Sequence, residues 1–416
     1  MNKNYFVGVF FIALLTLAIT GNADQGQPGS ARALSGKLEK VIETYTAEGR
    51  LPNIVAGVAN REGTIYIGAS GLKNTQDATL MTPNSIVAIA SMTKPVTTVA
   101  VLQLVEKGLI DLHSPITKYL PELAEIKVLK GFTEDGDMAL ESPSAIPTTF
   151  QLLTHTSGFV YEFTNSRAFE SVKMGLVPSI FSGLAGLQAP MGFSPGARWE
   201  YGIGLDWAGV IVERVSGLTL DVYFKRHIFE PLKMSDTAYV VPEADSSRVA
   251  AIHVRTEAGF SPTPPTPPVV TGGHGLFSTV SDYLRFLRAI LRGGELDGAR
   301  VLQPESVAEM FNNQIGDFEV NPGRTAMPAM LKDYDFGFGA PAKWGLGFLI
   351  HEAPTIGGRP AGSVSWAGIF NSYFWIDREN GIVAMASTQL MPLYDEEAVS
   401  LLTEFEGLVY EHVGQD

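Results

Sequence analysis

Two residues inside an apolar segment could carry chemistry in this chain. In IVAIASMTKPVTTVAVLQLVEKG (86–108), Ser91 and Lys94 stand three residues apart, and Pro95 follows the lysine directly. Residues at i and i+3 share a helix face, so the Lys94 amine can reach the Ser91 hydroxyl. Pro95 is tolerated only in a first helical turn, which predicts a helix start near Ser91. A helix N-terminus favours a developing alkoxide and disfavours a lysine cation. Apolar surroundings move the lysine in the same direction. A neutral lysine accepts a serine proton, which makes Ser91 a candidate nucleophile and Lys94 its candidate base. A helix start with a capping serine and a solvated lysine fits this stretch as well, so the stretch alone leaves both readings open.

The S-x-x-K pattern is cheap, and context has to separate its occurrences. SGLK (70–73) follows a strand-like run and leads into the polar turn NTQD. Nothing there holds Ser70 and Lys73 on one face, so Ser70 reads as a strand end and Lys73 as solvated. GFSPG (192–196) matches the nucleophile-elbow pattern G-x-S-x-G. That elbow needs a strand before it, a helix after it, and the N–H of the next residue as an oxyanion donor. Here the next residue is Pro195, which has no N–H. Ser194 is therefore rejected.

Elements that would position Ser91 and Lys94 lie at both ends of the chain. LSGKLEKVIETYTAEGR (34–50) has the pattern of an amphipathic helix. NIVAGVAN (53–60) and GTIYIGAS (63–70) read as strands joined by a tight turn at REG. Gly108 closes the helix that begins near Ser91. Late in the chain, WGLGFLI (344–350), GSVSWAG (362–368), FNSYFWID (370–377) and GIVAMASTQ (381–389) read as successive strands, with a final helix over 396–412. The region between has helical patterns at 205–217 and 281–294. Its SPTPPTPP run (261–268) can form neither a helix nor a central strand. The expected fold class is α+β (α/β): an antiparallel sheet flanked by N- and C-terminal helices, built from 34–111 and 301–416. A mainly helical region, 112–300, is inserted, and a cleft between the two is a natural small-molecule site.

Composition narrows the function. The 416 residues are 45% hydrophobic and 18% charged, with a formal net charge of −14. No basic cluster is present to neutralise phosphates, so nucleic acid is not an expected partner. The chain has no cysteine, which excludes thiol catalysis and thiolate metal sites. HEAP (351–354) lacks the second histidine of a zinc motif, and no metal or other cofactor is expected. At the start, Lys3 precedes an apolar run from Tyr5 to Ile19, followed by Gly21 and Ala23. This is the layout of a cleavable secretory signal over 1–23, shorter than the ~20 apolar residues of a membrane span. A periplasmic or secreted protein without a stable membrane anchor is expected.

Further motifs give the candidate pair a context. LLTHTSG (152–158), PGARWEYG (195–202), GGHGLFST (272–279) and SWAG (365–368) follow SMTK (91–94) in that order. The set resembles the serine hydrolases of the β-lactamase/penicillin-binding protein superfamily, and in particular the class C β-lactamase-like branch that includes the family VIII carboxylesterases. The resemblance spans about 34–412. It implies a β-lactamase/transpeptidase-like fold, acylation of Ser91, and activation by Lys94. It implies that Tyr201 acts with the lysine as base and returns a proton to the leaving group, with Tyr161 as the other candidate tyrosine. It also places the oxyanion between the backbone N–H groups of Ser91 and Ile369. Without the resemblance, Tyr201 reads as an ordinary buried tyrosine.

Two departures from the class C pattern shape the expected substrate. Ile203 stands where Tyr-x-Asn has its asparagine, and Trp366-Ala367-Gly368 stand where Lys-Thr-Gly is found. The missing lysine would pair with a substrate carboxylate and the missing asparagine would bond an amide. Trp366 offers a flat apolar wall and one donor instead, unless it is simply a core residue. Trp366, Ala367 and Gly368 are thus the expected substrate-binding residues, and a short-chain or small-molecule ester is the expected substrate. A β-lactamase, a D,D-peptidase, an acyltransferase and an inactive penicillin-binding-like sensor are the alternatives. His155 and His274 are expected to shape backbone rather than do chemistry.

Overall fold

A computed structural model of the chain describes residues 29–264 and 267–413. The candidate signal segment, 1–23, lies outside the described residues. The core is one eight-stranded sheet, whose strands are numbered here in chain order. They are β1 (Asn53–Asn60), β2 (Thr64–Asn74), β3 (Thr79–Leu80), β4 (Ala342–Trp344), β5 (Leu349–His351), β6 (Val364–Gly368), β7 (Ser372–Asp377) and β8 (Ile382–Ser387). Their order across the sheet is β4-β5-β6-β7-β8-β1-β2-β3, and every pairing is antiparallel. The two ends of the chain meet where β1 pairs with β8, Val55 opposite Ser387.

Helices cover both faces. Helix α1 (Gly29–Ala47) and the C-terminal helix lie on one face. Tyr66 on β2 donates to Glu39 on α1 at 2.7 Å, and its ring lies 6.3 Å from Phe405. On the other face lies the helix Val280–Leu291, where Tyr283 meets Phe374 of β7 at 5.5 Å. Phe374 and its neighbour Trp375 therefore serve opposite faces, as the pleat requires. Trp375 packs on Phe405 at 6.4 Å. A sheet covered on both faces reads as continuous apolar sequence, which is why SYFWID and IVAMAS show no alternation.

The segment carrying Ser91 splits into three short pieces. Val87–Ala88 pairs with Phe277–Ser278, one 3₁₀ turn spans Ala90–Met92, and α2 runs from Thr93 to Glu106. Pro95 falls in the first turn of α2, as its fixed φ demands. α2 is buried through Leu104, which explains a helix apolar all round rather than on one stripe. It packs against α3 (Gly204–Ser216). The remaining long helices are α4, the Val280–Leu291 helix, and α5 (Glu396–Val413). α4 sits on the sheet although its residues fall within the 112–300 stretch. Its apolar stripe completes the face that β1 and β8 leave open.

Two local expectations are corrected. WGLGFLI (344–350) is not one strand but the turn between β4 and β5. The Gly345 N–H bonds the Phe348 carbonyl at 2.8 Å, and Gly347 takes a left-handed φ of 80°. Ser70 is not a strand end, since β2 continues through Lys73 to Asn74. Its hydroxyl pairs with that of Thr46 at 2.7 Å, and Lys73 bonds the Ser247 carbonyl. The Pro-rich run begins as an edge strand, Gly259–Pro262 at the border of a three-stranded sheet. Among the described residues, no helix is long and apolar enough to cross a membrane.

Candidate active site

Ser91 is held at the mouth of α2 by strained backbone. Ala90, just before it, takes a left-handed φ of 44°, which costs a non-glycine residue roughly 1–2 kcal/mol. The surrounding packing holds that conformation. Leu276 accepts from the Ile89 N–H at 3.0 Å, and the buried Gln389 amide brackets Ala88, accepting from its N–H and donating to its carbonyl at 3.0 Å each. The serine does not cap the helix. Its Oγ accepts from the Tyr201 hydroxyl at 2.8 Å and lies 3.2 Å from Lys94 Nζ.

Lys94 is fully buried, and all of its nitrogen contacts are defined. Nζ meets Ser91 Oγ, the Tyr161 hydroxyl at 3.0 Å and the Gly273 carbonyl at 2.8 Å. The rings of Tyr161 and Tyr201 flank it, with centroids 5.1 and 4.8 Å away. Burial pulls its amine down to about 7, while Asp206 pulls the other way. The structure thus brings together Ser91, Lys94 and both tyrosines that the sequence raised. Burial pushes the Tyr201 hydroxyl well up, with its bond to Ser91 opposing, so it is a neutral donor near neutral pH. Tyr161 is pushed up by burial and then by the Asp206 charge.

Asp206 was not singled out in the sequence. It stands in the first turn of α3 and is buried. Its Oδ2 accepts from Tyr161 at 3.3 Å, its Oδ1 accepts from the Gly273 N–H at 3.1 Å, and His274 Nδ1 lies 3.4 Å from Oδ1. Burial alone would raise this carboxyl, but the hydrogen bond and charge of His274, then Lys94, hold it below the usual range. The only sequence signal for it was an acid in the otherwise apolar stretch GLDWAGVIV.

His155 shapes backbone. Its carbonyl accepts from Glu200 N at 3.0 Å and its Nδ1 accepts from Gly202 N at 3.3 Å, which clamps the residues on either side of Tyr201. Burial, then the nearby Lys94, keeps the ring neutral. His274 does more than the sequence suggested, through its contact with Asp206.

The end of β6 closes the other side. Trp366 is buried, with its ring 4.9 Å from Tyr201, 4.6 Å from Trp344 and 5.1 Å from Phe336. It is therefore both a core residue and a wall beside the site tyrosine. Ala367 is buried opposite Tyr373. Gly368 presses against the Ser91 segment: a Cβ there would lie 2.4 Å from the Ile89 carbonyl oxygen. Ile369 is the first residue of the turn between β6 and β7. Gly368→Ala is accordingly expected to push β6 away from residues 89–91. A shift near 1 Å at reacting groups lowers kcat by about 100-fold. Steady-state kinetics beside a circular-dichroism spectrum check this, and wild-type kcat would contradict the close approach.

A long segment between α4 and β4 roofs this wall, and no sequence pattern pointed to its placement there. The Ala326 N–H bonds the Phe163 carbonyl at 2.9 Å, and Phe336 packs on Trp366 with ring centroids 5.1 Å apart. The rejected serine Ser194 only accepts from the Ser144 N–H at 3.4 Å.

The chain matches the protein-family model described as Beta-lactamase over residues 38–404. It is similar to the lovastatin esterase of Penicillium rubens, 31% identical over 352 residues, covering 79% of this chain and 85% of that protein. Monacolin J acid methylbutanoyltransferase of Aspergillus terreus is 31% identical over 338 residues, covering 77% of this chain and 81% of that protein. Among solved structures, unliganded simvastatin synthase from Aspergillus terreus superposes with a TM-score of 0.80 at 27% identity, covering 92% of this chain and 99% of that one.

Proposed function

Because the chain belongs to the Beta-lactamase family, whose members similar to it include esterases and acyltransferases, we propose that it is a serine carboxylesterase acting on uncharged short-chain or small-molecule esters. The observation that carries this reading is Trp366, buried against Tyr201 where a carboxylate-binding lysine would otherwise stand. An anionic lactam or peptide has no partner on that strand. A neutral ester loses nothing there and gains an apolar wall.

Hydrogen-bond direction supports a division of roles. The Gly273 carbonyl can only accept, and the Tyr161 hydroxyl has Asp206 for its own proton, so Lys94 donates to both. A neutral amine then has one lone pair left, and it faces the Ser91 hydroxyl. Tyr201 donates to the same Oγ. In acylation, Ser91 Oγ attacks the ester carbonyl carbon while its proton passes to Lys94 Nζ. The tetrahedral oxyanion sits between the N–H groups of Ser91 and Ile369. Tyr201 hands its proton to the departing alkoxide and is reprotonated from Lys94. Water then attacks the acyl-enzyme with the same base, giving the acid and free Ser91. We read residues 1–23 as a cleavable export signal and propose that this activity is exerted outside the cytoplasm.

The test is a comparison of rates on the purified protein. p-Nitrophenyl acetate or butyrate should be turned over with a kcat/KM on the order of 100-fold above a chromogenic cephalosporin, the worth of one absent charge-assisted hydrogen bond. Faster cephalosporin turnover would overturn the esterase reading. The similarity to a methylbutanoyltransferase favours one second outcome, release of the acyl group to an alcohol. It would appear as ester product when an alcohol is added to the same assay.

A further inference from the structure

The three partners of the Lys94 amine are not independent. Two of them, the Tyr161 hydroxyl and the peptide between Gly273 and its neighbours, are themselves fixed by one carboxylate. We propose that Asp206 is a positioning residue for Lys94: through Tyr161 and the Gly273 peptide it fixes the amine against Ser91 and sets the pH at which the amine accepts the serine proton. This rests on Lys94 being the base.

The geometry gives Asp206 both roles. Its Oδ2 takes the Tyr161 proton at 3.3 Å, which turns the phenol oxygen's lone pairs toward Lys94 at 3.0 Å. Its Oδ1 takes the Gly273 N–H at 3.1 Å, in the same residue whose carbonyl holds Lys94 at 2.8 Å. The Thr97 hydroxyl on α2 pins the preceding carbonyl of Gly272 at 2.6 Å, so the loop cannot swing to compensate. The titratable groups facing Lys94 are Tyr161, Tyr201, His155 and Asp206. Those facing Asp206 are Tyr161, Tyr201, Tyr239, His155, His274 and Lys94. Every tyrosine in this set is pushed up by burial, and His155 is held neutral. Asp206 is the buried anion among them, and the partly exposed His274 lies 3.4 Å from its Oδ1. A carboxylate two hydrogen bonds from the amine favours the ammonium, which limits how far burial can depress it.

The experiment is the pH profile of kcat/KM for p-nitrophenyl acetate, which has no titrating group, in wild type, Asp206→Asn, Tyr161→Phe and Lys94→Met. The active form carries a neutral amine, so activity rises with pH through an acid limb. Asparagine removes the anion and disfavours the ammonium, and the amine then stays neutral to lower pH. The limb should move down by about one pH unit. The plateau should fall roughly 10- to 100-fold, because the asparagine NH₂ turned toward Tyr161 would send the Tyr161 proton to Lys94 in competition with Ser91. Tyr161→Phe takes one acceptor from the ammonium and should move the limb in the same direction, which keeps the test decisive if the asparagine variant does not fold. A fallen plateau with an unmoved limb in both variants would reduce Asp206 to a structural residue and overturn the proposal. Wild-type turnover in Lys94→Met would instead remove the base reading on which it rests.

Discussion

Ser91→Ala is expected to lower ester turnover by about 10⁴-fold or more and to abolish covalent labelling by a fluorophosphonate. Alanine at this position keeps the strained Ala90 turn and the start of α2 intact, because neither depends on the serine hydroxyl. Ser91 makes no cap bond to the helix, and its Oγ meets only Tyr201 and Lys94. The fold should therefore survive, and circular dichroism should not distinguish the variant from wild type. What is lost is the atom that forms the acyl bond. Neither other serine with a candidate motif stands ready to replace it: Ser194 lies in a loop beside Ser144 and before a proline, and Ser70 is engaged with Thr46. Intact-mass measurement of the labelled protein reads this directly. A label retained in the alanine variant would show that the nucleophile lies elsewhere.

The sequence made much of this legible, and the reasons differ by residue. Strands β1, β7 and β8 and helices α1, α3 and α5 stood out because each buries a long apolar face bounded by turn residues. Ser91 and Lys94 stood out because an unpaired lysine in an apolar run needs a reason, and Pro95 fixed where the helix could begin. The residues alone did not rank Tyr161 against Tyr201; only the family resemblance put Tyr201 first. The structure shows why: both lie within 5.1 Å, ring centroid to amine, of Lys94, and they differ only in what their hydroxyls meet. Tyr201 meets the nucleophile and Tyr161 meets an acid. That acid was invisible because an aspartate in a first helical turn is an ordinary complement to the helix dipole. Only tertiary packing, which brings the 272–274 loop over α3, turns Asp206 inward. The β4–β5 turn was missed because two glycines inside WGLGFLI do not interrupt an apolar run, although the left-handed φ of Gly347 breaks the strand. The roof over Trp366 was missed because a loop's destination depends on its anchors. Those anchors, Phe163 and Trp366, are about two hundred residues apart in sequence.

Lys94→Met is expected to be inactive and yet more stable than wild type at neutral pH. Methionine has nearly the same length and fills the same apolar volume, so no cavity is left. The activity falls because the lone pair facing Ser91 is gone, and a loss on the order of 10⁴-fold follows if serine and base act as one unit. Stability moves the other way. In the unfolded chain this lysine holds its proton up to about 10.4, whereas burial brings it down to about 7 in the folded protein. Between these limits the unfolded state binds a proton that the native state does not, so wild-type stability rises with pH across that window. Below it, both states are protonated and the full cost of burying the cation remains, on the order of several kcal/mol. Methionine removes that cost but leaves the Gly273 carbonyl without its partner, which offsets about 1–3 kcal/mol. The variant should melt a few degrees above wild type at pH 7, and the gap should narrow steadily toward pH 10 as the wild-type amine is buried neutral at less cost. Differential scanning calorimetry of the two proteins across that range reads both signs. A variant that melts below wild type by the same margin at every pH would mean that Lys94 is buried as a satisfied cation, and the base would have to be sought in Tyr201.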